Sequence, residues 1–308
     1  MRVVAFGGGH GLGASLRALR QIPGLHLTAV VTVGDDGGSS GRLRAERGVL
    51  PPGDLRQALA ALAGSDALSA DTAELFQHRF DGAGSLAGHP VGNLVLCGLM
   101  ELHGDPVTAL DHAAALLQVA GRVLPMSRVP VSIEADVSGA DGVISRVRGQ
   151  HAVAVTRGHV EVVRITPDAP PACAEAVLAV RAADWLIFGP GSWYTSVIPH
   201  LLVPELATAI LASPARRLVT LNLAAEKETA SLPVPDHLHA LTRYLPGLRA
   251  DVVLADGKAV GDPEPVHRAA ESLGARLLLA PVSIEDGGPR HDPSALAAAL
   301  APILAAAC

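Results

Sequence analysis

Five glycines crowd the seven residues Gly7-Gly8-Gly9-His10-Gly11-Leu12-Gly13, between a short β-rich run at 2–6 and an apolar repeat near 3.6 residues at 11–21. Glycines let a backbone approach an anion closely, and the helix start behind them offers free N–H groups at its positive dipole end. Gly8, Gly9, His10 and Gly11 are therefore candidate phosphate contacts. Gly9, Gly11 and Ala14 satisfy a relaxed dinucleotide fingerprint, a weak signal alone. No lysine follows, so this is not a Walker A loop. A tight turn with close helix packing would use the same glycines.

A second run, Gly34-Asp35-Asp36-Gly37-Gly38-Ser39-Ser40-Gly41-Arg42, follows the next β-branched segment. One acid at this strand end would hold a ribose. Here Asp35 and Asp36 precede Ser39, Ser40 and Arg42, a set able to hold a ribose, a phosphate and Mg²⁺ together, with the two acids as candidate metal ligands. A flexible exposed loop has the same composition. Downstream, Asp54 stands at a helix start, where capping is the alternative, and His89 and Asn93 open another helix. Gly189, Gly191, Ser192, Tyr194 and Thr195 follow a third strand, and Asn222 ends a fourth. In open parallel sheets, ligands bind outside the carboxyl ends of the strands, so the coincidence of these four ends outweighs any single loop. Ser192 lies in no GxSxG elbow. His237 and His239 read as surface helix residues.

The elements that must position these residues alternate. Strands are expected at 2–6, 26–33, 185–188, 217–221, 251–254 and 276–279, with helices at 11–21, 54–63, 72–80, 91–102, 107–117, 172–181 and 203–212. Between 122 and 167 the pattern changes to strands at 131–136 and 160–164 with glycine turns, a β-rich insert. The expectation is one α/β domain over 1–308, a doubly wound, mostly parallel Rossmann-like sheet with a small antiparallel β insert. The stretch 294–308 is nearly uncharged but too short to span a bilayer. With Asp292 as N-cap and Pro293 in the first turn, it reads as a buried C-terminal helix.

The chain of 308 residues is 49% hydrophobic and 18% charged, with net charge −6 and no basic run. Nucleic-acid affinity needs clustered Lys and Arg, so nucleic acid is excluded as a partner. Cys97, Cys173 and Cys308 form no CxxC pair, which fits a reducing compartment without zinc. No secretory leader or membrane insertion is expected, and the location expected is cytoplasmic. A homo-oligomer stays open.

The motifs in this order resemble the YvcK/CofD-like family. They are VTVGDDGGSSGRLR at 31–44, PPGDLRQAL at 51–59, FQHRF at 76–80, GHPVGNL at 88–94, GRVLPMS at 121–127 and GPGSWYTSVIPHLLVP at 189–204. The likeness runs from Val3 to about Asn222 and returns at 290–293. It implies a Rossmann-like fold with a nucleotide pocket. The YvcK branch is associated with UDP-sugar binding, cell shape and growth on gluconeogenic carbon. The CofD branch transfers a phospholactyl group from a guanosine diphosphate carrier to a deazaflavin. The stretch after Asp36 is similar to the YvcK branch, although His10 stands where the family usually has Thr. A UDP-sugar-binding regulator is the first reading, and a Mg²⁺-using transferase, with Asp35 and Asp36 stabilising the leaving group, is the second.

Overall fold

The computed structural model describes residues 1–230, 232–285 and 288–306. Ten strands appear in chain order: β1 (Arg2–Gly7), β2 (His26–Val31), β3 (Arg122–Pro125), β4 (Ser132–Ser138), β5 (Ile144–Arg148), β6 (His159–Thr166), β7 (Trp185–Phe188), β8 (Arg216–Thr220), β9 (Val252–Ala255) and β10 (Arg276–Leu279). Seven form one sheet in the order β10-β9-β8-β7-β1-β2-β3, and every pairing in it is parallel. The chain winds outward from β1 to β3, returns to the middle, and winds out the other way from β7 to β10. This is the doubly wound α/β fold, and its switch point lies between β1 and β7.

Strands covered by helices on both faces need apolar side chains throughout, which is why the middle strands read as unbroken runs. Trp185, Leu186, Ile187 and Phe188 are all buried, and Phe6 of β1 stacks on Phe188 with ring centroids 4.9 Å apart. With few aromatics, the rest of the core is Leu, Val and Ala contributed by the sheet and its helices.

The first six helices are α1 (Gly9–Leu19), α2 (Gly38–Arg47), α3 (Pro52–Leu62), α4 (Ala67–Gln77), α5 (Val91–His103) and α6 (Pro106–Leu116). α2 occupies the serine–glycine stretch whose composition also suits a flexible loop. Gly48, with φ 69°, ends it in the left-handed conformation, and its amide closes on the Arg44 carbonyl. α4 starts earlier than its periodicity indicates because Asp66 caps it, accepting from the Ser69 amide at 3.0 Å.

The β-rich stretch at 122–167 divides. Residues 122–125 are β3, the edge of the parallel sheet, because they pair with β2. The antiparallel insert proper is β5-β4-β6. Its central strand β4 alternates buried and half-buried residues, and Asp136 on its outer face bridges Arg146 and Arg164. The helix Pro293–Ala305 lies against α1, with Asp292 accepting from the Ala295 amide at 2.7 Å as its cap. Cys308 and Ala307 of the expected tail lie outside the described residues. His237 is not on the surface as expected. It is 2% exposed and stacks on Trp193, while His239 does face outward. No single helix among the described residues is long and apolar enough to cross a membrane.

Candidate nucleotide site

The loops after β1 and β7 meet at the switch point. A side chain at Gly11 would strike the Pro190 carbonyl and come within 2.6 Å of the Gly191 α-carbon, so the two glycine loops touch backbone to backbone. Gly9 has φ +56° and Gly191 φ +144°, values that L side chains rarely adopt. Between and above the loops opens a cleft of about 1010 Å³. Of the residues singled out in the sequence, Gly8, Gly9, His10, Gly11, Asp54, Gly191, Ser192, Thr195 and Asn222 line it.

Asp54 reaches this cleft from the first turn of α3. It is not the N-cap, a place taken by Pro51, and its carboxylate instead accepts from the Gly9 amide. Burial, helped by the negative charge of Asp35, pushes its pKa up to about 7, while the Gly9 amide and Arg56 oppose that rise. Its Oδ2 has no hydrogen-bond partner. A side chain at Gly53 would fall 2.8 Å from Asp35 Oδ2, so Asp35 and Asp54 flank one glycine. Two convergent carboxylates, one with an orphaned buried oxygen, suit a Mg²⁺ ion that arrives with a phosphate and keeps several waters. Among the described residues no group of three or more His, Cys, Asp and Glu side chains could hold a metal by itself.

Asp36 turns the other way. Its Oδ1 accepts from the His151 amide at 3.0 Å, at the start of the short helix Gln150–Ala154. That helix puts Gln150 and Ala154 into the cleft wall, so the adjacent acids separate into one facing Asp54 and one fastening the insert. Asn222 clamps the β7 loop. It accepts from the Gly191 amide at 2.8 Å and donates to the Gly191 carbonyl at 2.9 Å.

The remaining candidates do not line the cleft. Ser40 accepts from the Gly53 amide at 3.0 Å, joining α2 to the turn that carries Asp54. Ser39, His89 and Asn93 form a buried chain: Asn93 donates to Ser39 Oγ at 2.9 Å, and Ser39 lies 2.7 Å from His89 Nδ1. Burial, and after it the charge of Arg42, lowers the His89 pKa. Arg42 donates to the Ala87 carbonyl. Gly189 accepts from the Ser15 hydroxyl behind the loop. Tyr194 is buried against Tyr244, its amide donates to Glu228, and burial raises its phenol to about 12.

Arg17, Gln150, Glu226, Arg290 and His291 also line the cleft, and sequence reasoning did not place them there. The four residues at 290–293 carried a signal, since they belong to the family resemblance, but no motif chemistry.

With this geometry in hand, comparison with known proteins is decisive. The family model described as 2-phospho-L-lactate transferase CofD matches residues 3–275. The chain belongs to the YvcK/CofD-like family. Within it, the chain is 52% identical to a gluconeogenesis-factor relative from Mycobacterium tuberculosis, covering 97% of this chain and 89% of the relative. It is 37% identical to the protein of Bacillus subtilis named gluconeogenesis factor, covering 89% and 84%. A crystal structure of a UPF0052-family protein from Bacillus halodurans superposes with a TM-score of 0.86 at 36% identity, covering 97% of this chain and 99% of that one. The YvcK/CofD-like family thus shares the fold over nearly the whole chain.

Proposed function

We propose that this protein binds a UDP-sugar in the switch-point cleft, with its diphosphate on the two glycine loops and a Mg²⁺ ion at Asp35 and Asp54, and acts as a cytoplasmic regulator of carbon and cell-wall metabolism. The observation carrying the reading is the contact between the Gly11 and Gly191 backbones, which brings two amide-rich loops to one floor where a diphosphate has two phosphoryl groups to place. The gluconeogenesis-factor names of its relatives support the metabolic half of the reading. Among the described residues the cleft offers amides, hydroxyls and carboxylates but no nucleophile with a positioned base, which argues for binding without covalent turnover.

Calorimetric titration with UDP-N-acetylglucosamine, GDP and NAD, each with and without Mg²⁺, tests this. The expected result is tightest binding of the UDP-sugar, strengthened by Mg²⁺. Preference for GDP would transfer the case to the second reading, a CofD-type transferase. That reading is favoured by the family model's description and by the carboxylate pair, because direct transfer between two bound substrates needs little beyond positioning and charge stabilisation. Release of GMP from a guanylylated phospholactate donor in the presence of the deazaflavin acceptor would establish it.

A further inference from the structure

Adjoining the cleft, and sharing His10 and Arg17 with it, is a depression of about 280 Å³ whose other lining side chains are Arg56, Gln57, Gln77 and Arg79, with Gly13 between them. Three of its seven lining residues are arginines and none is acidic, in a chain whose net charge is −6. Arg17, Arg56 and Arg79 form no ion pair among the described residues. Converging guanidinium groups repel one another: burial, and after it Arg79, holds the Arg56 pKa down to about 10, against the opposing charges of Asp54 and Asp35. Such an arrangement is costly unless an anion offsets it.

Arg56 forms the floor and is 5% exposed. Its Nε donates to Asn93 Oδ1 at 2.9 Å, which makes it the last member of the buried chain from His89 through Ser39 and Asn93. Its Nη1 is buried and has no partner. A guanidinium held rigidly at one edge with its far side unsatisfied is prepared to donate to an oxyanion. Arg79 on the rim spends one N–H on the Gly88 carbonyl, and Arg17 makes no hydrogen bond through its guanidinium.

We propose that this depression, which borders the nucleotide cleft and shares Arg17 with it, is a binding site for a small phosphorylated anion held by Arg56, Arg79 and Arg17. Three cations match a phosphoryl dianion better than a single carboxylate, and the amides of Gln57 and Gln77 supply further donors. The small volume restricts the ligand to a free phosphate or a short phosphorylated metabolite.

Phosphorus NMR titration of the nucleotide-free protein with inorganic phosphate tests the site, with a three-carbon phosphorylated acid and malonate as parallel ligands. Arg56 and Arg79 line the depression and not the cleft, so variants there separate the two spaces. Saturable phosphate binding is expected, weakened at least tenfold by Arg79→Gln on the exposed rim and lost in Arg56→Gln. Tighter binding of the phosphorylated acid would identify a metabolite as the ligand, and equal or weaker binding would identify free phosphate. Should Arg56→Gln fail to fold, Arg79→Gln decides alone. The proposal is overturned if wild type does not bind phosphate, if malonate binds in its place, or if the folded variants bind phosphate as wild type does.

Discussion

Asp54 has the most displaced carboxyl group near the cleft, and the direction of that displacement determines how it acts on stability. Its pKa is about 7 in the folded chain against 3.8 ordinarily, so between those values the folded state holds a proton that the unfolded state has released. Stability through this group is therefore present below pH 4 and falls as pH rises toward 7, by at most on the order of 4 kcal/mol. Glu228, raised to about 7 by burial, adds a loss of the same sign. Asp54→Asn keeps an acceptor for the Gly9 amide and removes the titration. Its urea midpoint should change less than that of wild type between pH 5 and pH 8, and should exceed wild type at pH 8. Glu228 is common to both proteins, so the difference isolates Asp54. An equal pH dependence in the two would show that Asp54 is ionised throughout.

At the scale of elements, the strand-end loops hold the site while the helices behind them aim it. The strand–glycine–helix order was legible because β-branched runs such as 26–31 change abruptly to glycine. α2 was not legible: its buried positions are Ser39, Ser40 and Leu43, two of them hydroxyls that find partners in α3 and α5 only after folding. The separate roles of Asp35 and Asp36 were equally hidden, since the partner of Asp36 is an amide 115 residues away. Asp36→Ala should loosen the helix Gln150–Ala154 and weaken nucleotide binding several-fold whether or not Mg²⁺ is present. Asp35→Ala should instead abolish the gain that Mg²⁺ gives. Calorimetry on both variants with and without the ion checks this, and the reverse pattern would exchange the roles.

For the molecule as a whole, a ligand that binds only the folded state stabilises it by about 2.7 kcal/mol at a hundredfold excess over Kd. Because the cleft draws on the β1 loop, α3, the insert, the β7 loop, residues 284–285 and residues 289–293, that gain should reach all of them. Saturating UDP-sugar should raise the melting temperature by a few degrees as a single transition, and slow amide exchange in the insert as well as in the glycine loops. Protection confined to the loops would separate the insert from the site. The doubly wound architecture was readable from strand–helix alternation. The wall made by the insert, by residues 284–285 and by residues 289–293 was not, because nothing local marks a residue as facing a loop far away in the sequence.

That wall has a consequence for synthesis. Gly8 and Gly11 leave the ribosome long before Arg290, His291 and Pro293, which face them across the cleft. The helix that follows, Pro293–Ala305, also packs against α1. Domains fold during synthesis once enough of their chain has emerged. Here the sheet can assemble strand by strand, but the cleft is complete only once residues 290–293 are available. A nascent chain therefore cannot borrow stability from any ligand of this cleft, and it must reach its fold on packing alone before such a ligand can assist.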